Sequence, residues 1–140
     1  MRVWPTKPGV CLAGYGVAMP RAHISMTPDE VKSFLATRDT MVVATLADGA
    51  SVGTVARARL DGDQLVFVVA DDDPAVDQIA RDDRVCCVID QFPSYYEIKG
   101  VIAHGHARRL DPVPAELSPG AAFALSLDDV ASFDFAKLPR

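Results

Sequence analysis

Two Asp-Gly turns constrain this chain more than anything else in it. Asp48-Gly49 separates the apolar runs MVVATLA and SVGTVARARL, and Asp61-Gly62-Asp63 leads straight into a third run, QLVFVVA. Asp-Gly suits a tight hairpin turn because its central positions need positive φ, so successive strands must fold back on one another. An antiparallel meander is therefore expected from Met41 to Ala70, with Ser51 to Leu60 as its second strand. On that strand Val52, Thr54, Ala56, Ala58 and Leu60 share one face, and Val55, Arg57 and Arg59 share the other. The face of small residues is expected to be the core. The third run is apolar throughout, as a strand buried on both faces is.

Helix signals bracket the meander. Thr27-Pro28-Asp29-Glu30 combines an N-cap hydroxyl, a proline at the first helical position and a glutamate able to complete a capping box. Val31, Phe34 and Leu35 then fall on one stripe, which predicts a short amphipathic helix ending before Arg38-Asp39. Asp71-Asp72-Asp73-Pro74 superficially suggests a metal-binding acidic run, but aspartate followed by proline is an ordinary helix start, and acids are favoured there by the helix dipole. That second helix carries Val76, Ile79 and Ala80 on one face and stops near Asp82-Asp83. RVCCVID (Arg84 to Asp90) reads as a fourth strand, and Tyr96 to about Arg109 as a long fifth, with Val101, Ala103, Gly105 and Ala107 on one face. A connection containing Pro112, Pro114 and Pro119 leads to a last strand, Ala121 to Leu127, and a closing segment, Asp128 to Phe133. The expected fold is mainly β with two short helices: a six-stranded antiparallel barrel.

The 140 residues make about one domain, and 49% hydrophobic content with a mean hydropathy of +0.13 supplies a core. Residues 1–25, broken by Pro5, Pro8 and Pro20, read as an irregular arm before a single domain over 26–140. Met19 and Met26 could equally serve as starts. The arm's GYGVAM segment lacks the third glycine of a dinucleotide fingerprint and any strand before it. Fourteen basic against nineteen acidic side chains leave a net charge of −5, so nucleic acid and anionic membrane surfaces are poor partners. No apolar run approaches the roughly 20 residues a spanning helix needs. Cys11, Cys86 and Cys87 are too few for a disulfide framework, and neighbouring cysteines on one strand point to opposite faces, which fits a reducing, cytoplasmic setting.

Few residues carry a chemical signature. His104 and His106 stand at i and i+2 of one strand and so face the same side, as a metal or haem site would need. Two ligands do not make a site, and His23 is the only other histidine, so a solvated or hydrogen-bonded pair is expected and no metal. Cys86 and Cys87 lack C-x-x-C spacing, and at least one is expected to be buried. Tyr95 and Tyr96, beside Phe92 and Pro93, either wall a flat ligand or line a subunit interface. No spacing of Ser, His and Asp suggests a hydrolytic triad, and no general acid stands out.

The order of TPDEVKSFL, VATLADGAS, LDGDQLVFVVA, IARDDRVCCVI and IKGVIAHGHA over Thr27 to Arg109 resembles the pyridoxamine 5′-phosphate oxidase-like flavin-binding split barrels. The tail ALSLDDVASFDFAKL is similar to endings of some of these proteins. The resemblance implies a split barrel forming a homodimer, with FMN or a deazaflavin coenzyme between subunits against the second and third strands. It places the cofactor beside Thr54, Val55, Arg57, Arg59, Ala70, Ala75 and Tyr96. Thr54 and Ala75 stand where the phosphate-oxidase branch has an arginine and a lysine, which leaves Arg57 and Arg59 as the substitutes for phosphate binding. The activity implied is hydride transfer to a small conjugated or heterocyclic substrate. The alternative is a non-redox split-barrel binding protein that has lost the flavin phosphate contacts, with haem at His104 or His106 as one candidate ligand.

Overall fold

The computed structural model describes residues 24–139. The N-terminal arm as far as residue 23, with Cys11, Met19, His23 and the GYGVAM segment, lies outside the described residues. Helix α1 (Pro28–Leu35) opens on the expected capping box: Glu30 N donates to Thr27 Oγ1 (3.2 Å) and Thr27 N to Glu30 Oε1 (2.8 Å). Its stripe of Val31, Phe34 and Leu35 is buried. Strands β1 (Thr40–Ala47), β2 (Ala50–Asp61) and β3 (Gln64–Val69) form the meander, with Asp48 and Gly49 both at positive φ (51° and 82°) in the first turn. Helix α2 (Pro74–Arg81) starts at Asp73, whose carboxylate accepts from Ala75 N at 2.8 Å. Strands β4 (Arg84–Gln91), β5 (Lys99–His106), β6 (Arg108–Leu110), β7 (Ala121–Ser126) and β8 (Asp129–Asp134) follow.

All eight strands belong to one antiparallel sheet in the order β6-β7-β3-β2-β1-β4-β5-β8. Because β5 and β6 are separated only by Ala107, one stretch of chain lies near both ends of this order, and the sheet curls into a split barrel. The class is the expected one, but the described residues form eight strands rather than six, for two reasons. The expected long strand from Tyr96 to Arg109 is broken: Tyr95–Glu97 forms a 3-10 turn, and at Ala107 the chain changes partners from β4 and β8 to β7. Ala107 N leaves the ladder there and donates to Asp83 O at 2.8 Å. The closing segment is itself a strand, β8, because β5 would otherwise leave an unpaired edge.

The barrel interior holds one cluster drawn from every layer, including Phe34, Leu35, Val43, Phe67, Ile79, Cys87, Val101, Phe123 and Leu125. Phe67 stacks on Phe123 with centroids 5.4 Å apart. The expected core face of β2 holds only in its middle: Ala56 and Ala58 are buried, Thr54 and Leu60 partly so, and Val52 is exposed. The β1–β2 hairpin outruns the sheet at that end, since β1 pairs with β4 only over Val42 to Ala44. A second, smaller cluster lies outside the barrel, where the connection from Asp111 to Gly120 brings Leu117 and Val113 onto Val66, Val68, Ala122 and Ala124. β3 is thus buried on both faces, as its unbroken apolar run requires.

Cys86 and Cys87 diverge as their adjacency demands, Cys86 half-buried on the outer face and Cys87 fully buried in the core. Burial pushes the Cys87 thiol up to about 12 and also raises that of Cys86. In a Cys11→Ser variant, a thiol reagent at pH 8 is expected to label Cys86 slowly and Cys87 only after denaturation. Equal labelling of both in the folded state would show that β4 is not sealed.

Candidate functional site

Because residues alternate along β2, the candidate cofactor residues divide between its two faces. Thr54 turns toward α2, where its hydroxyl donates to Asp73 Oδ2 at 2.8 Å while Asp73 Oδ1 accepts from Ala75 N. One carboxylate therefore knits Thr54 to the first turn of α2, and Ala75 is buried beneath it. The helix N-terminus is already capped, and Asp71 and Asp72 add charge that repels an anion there.

Val55 and Arg57 point outward and meet Val68, Val69, Ala70, Asp71, Pro119 and Gly120 in a groove of about 330 Å³ between the end of β3 and the Pro-rich connection. Gly120, at φ 137°, lets that connection close against β3: a Cβ there would lie 2.5 Å from Val69 O and from a methyl of Val68. Arg57 Nη2 donates to Pro119 O at 2.7 Å, and Arg57 has no carboxylate partner among the described residues. Arg59 is held differently. Its Nη1 is 2.6 Å from Glu116 and its Nη2 4.0 Å from Asp61, while its Nε is buried without a partner. A hydrogen bond from its own backbone amide, then Arg59, holds the Glu116 carboxyl below the usual range. Tyr96 lies in the 3-10 turn, edge-on to Tyr95, which also packs on Phe135.

The groove opens beside an apolar band that crosses five strands. Cross-strand pairing sets Val55, Val42, Val88, Ile102 and Ala131 side by side on the outer face, with Val55 71% and Val42 45% exposed. Sequence reading grouped Val55 with the arginines but missed the rest of the band, because its members are neighbours only through strand register.

These residues fit part of a flavin. Val55, Val68 and Ala70 offer an apolar wall to a flat ring, and the Arg57 fork offers charge-assisted donors to one anionic group. Thr54 and Ala75 add no cation.

His104 and His106 face a separate cleft of about 940 Å³, also lined by Ala44, Leu46, Cys86 and Leu125. His104 lies across from Cys86 on β4 and Asp129 on β8, and His106 Nδ1 is 2.6 Å from Asp83 Oδ1. Among the described residues no group of three or more His, Cys, Asp or Glu side chains is placed to hold a metal ion. No helix among them is long and apolar enough to cross a membrane.

No curated protein matches the chain in sequence. Several solved structures share its fold. A conserved hypothetical protein from Mycobacterium tuberculosis superposes with a TM-score of 0.73 at 18% identity, over 88% of this chain and 95% of the other. An FAD binding protein from Mycobacterium smegmatis gives 0.66 at 18% identity, over 79% and 98%. An FAD and heme binding protein from the same organism gives 0.64 at 15%, over 80% and 73%. The family model for pyridoxamine 5′-phosphate oxidase matches residues 27–123, from the capping box of α1 into β7, and the chain belongs to that family.

Proposed function

We propose that this protein binds a flavin or deazaflavin coenzyme as a homodimer and transfers a hydride between it and a small conjugated or heterocyclic substrate. The observation that carries the reading is the groove at the end of β3, where Arg57 has no acidic partner among the described residues and the apolar band begins. The flavin-binding structures of the same fold support it. The bound ring would supply the two-electron chemistry. The chain's part is to seat the ring against Val55, Val68 and Ala70, and to meet its anionic tail with Arg57. A second protomer laid on the apolar band would exclude water from the groove. With one open arginine and three aspartates nearby, FMN affinity is expected to be modest.

Titration by flavin fluorescence quenching, with FMN, FAD and a deazaflavin coenzyme in parallel, tests this directly. Arg57→Ala is expected to weaken binding roughly ten- to hundredfold, the effect of losing a hydrogen bond to a charged group. Failure of all three to bind at about 100 micromolar would end the oxidoreductase reading.

The dimer is tested separately. The mass in solution is expected to be about twice 15.0 kDa, and Val42→Asp, which puts a charge in the middle of the band, should return the monomer. A monomeric native protein would remove the intersubunit site.

One observation favours a second reading, haem binding in the histidine cleft. Asp83 occupies His106 Nδ1, which leaves Nε2 as the ligating nitrogen, the arrangement that orients many metal-bound histidines. Haemin titration should then give a Soret band that His106→Ala shifts or abolishes. A spectrum unchanged by that substitution would reject axial ligation by His106.

A further inference from the structure

On the other side of the Ala107 corner from His106, α2 and the β6–β7 edge leave a cleft of about 480 Å³. Its apolar wall and floor are Val76, Ile79, Ala107 and Phe123. Arg109, in register with Phe123, lays its guanidinium 5.4 Å from the centre of that ring, and Arg81 enters from the last turn of α2.

Four charged groups line the mouth, and they are unequally committed. Asp82 is taken by Arg84, through Nε at 2.9 Å and Nη2 at 2.5 Å. Asp83 is taken by His106. Arg81 and Arg109 have no carboxylate partner among the described residues. A protein of net charge −5 therefore keeps two such guanidinium groups beside the accessible aliphatic side chains Val76 and Ala80, above a floor of buried Ile79, Ala107 and Phe123. Guanidinium forks match the geometry of a carboxylate, and Arg109 is already held against an aromatic face, so less freedom is lost when it closes on a ligand.

We infer that this cleft is a second ligand site, distinct from the cofactor groove, that takes a small amphipathic monoanion: an aromatic carboxylate with its ring against Val76 and Ala80 of α2 and its charge between Arg81 and Arg109. The two aspartates at the mouth disfavour a dianion, and the floor gives a bare inorganic ion nothing to bury. The site does not depend on whether a flavin binds.

The probe is 1-naphthoate, followed by amide NMR shifts at low salt, with 1-naphthalenemethanol and inorganic phosphate as controls. Saturable shifts confined to residues 79–83, 107 and 121–124 are expected. The alcohol and phosphate should each bind at least about tenfold more weakly. Arg109→Gln and Arg81→Gln, both exposed positions, should each weaken naphthoate by about tenfold, with the fold checked by unchanged thermal unfolding. Equal binding of acid and alcohol, no effect of the double substitution, or shifts centred on Val55 to Arg57 would each overturn the assignment.

Discussion

A curled sheet must do something with its two edges, and this one depends on a single change of partner at Ala107. Unpaired strand edges invite association with other chains, so a meander of this length has to close or cover them. Here the segment from Lys99 to Leu110 pairs with β4 and β8 and then, past one unladdered residue, with β7. The Ala107 N–H is satisfied by Asp83 O, so the corner leaves no orphaned donor. The same hydrogen bond ties the segment after α2 to the barrel wall. Much of the rest follows from that corner: His106 is set beside Asp83, and Arg109 is set over Phe123.

Local signals carried most of the elements. The capping box at Thr27, the Asp48-Gly49 turn and the Asp73-Pro74 helix start act over three or four residues, and each is where its residue types place it. What failed is what depends on partners far away. The one breaker in Ala103 to Arg109, Gly105, stays in the β4–β5 ladder, and the corner falls two residues later at Ala107, made by Asp83 and β7. The closing segment does not read as a strand because DVASFD is short and mixed, and its last residue, Asp134, is a buried acid that accepts from Ala136 N and faces Lys99. The exposure of Val52 has the same origin, since β1 and β4 diverge after Ala44.

The candidate site was legible as a set of residues but not as a shape. Strand alternation already separated Thr54 from Arg57, yet only the fold shows that Asp73 engages Thr54 and Ala75 together, which makes that end of α2 self-satisfied. The contacts of Arg57 and Arg59 span 62 and 57 residues, so no spacing rule could have found them. The apolar band and the arginine-lined cleft are likewise products of register.

The two arginines, equivalent in sequence, are unequal in the fold, and the difference decides which one a ligand can recruit. To reach an anion in the groove, Arg59 would have to leave Glu116, freeing a carboxylate beside the cluster that Leu117 seals. The exposed ion pair itself contributes only about 0–1 kcal/mol. The larger obstacle is direction: the Arg59 Nε is buried and its fork is aimed at Glu116 in the connection rather than at the groove. Arg57 gives one donor to the Pro119 carbonyl, a neutral acceptor, and keeps the rest of its fork at the groove. An anion arriving there would meet a guanidinium that is anchored through one nitrogen and has no carboxylate partner among the described residues, and such a group binds at less cost in ordering than a free one.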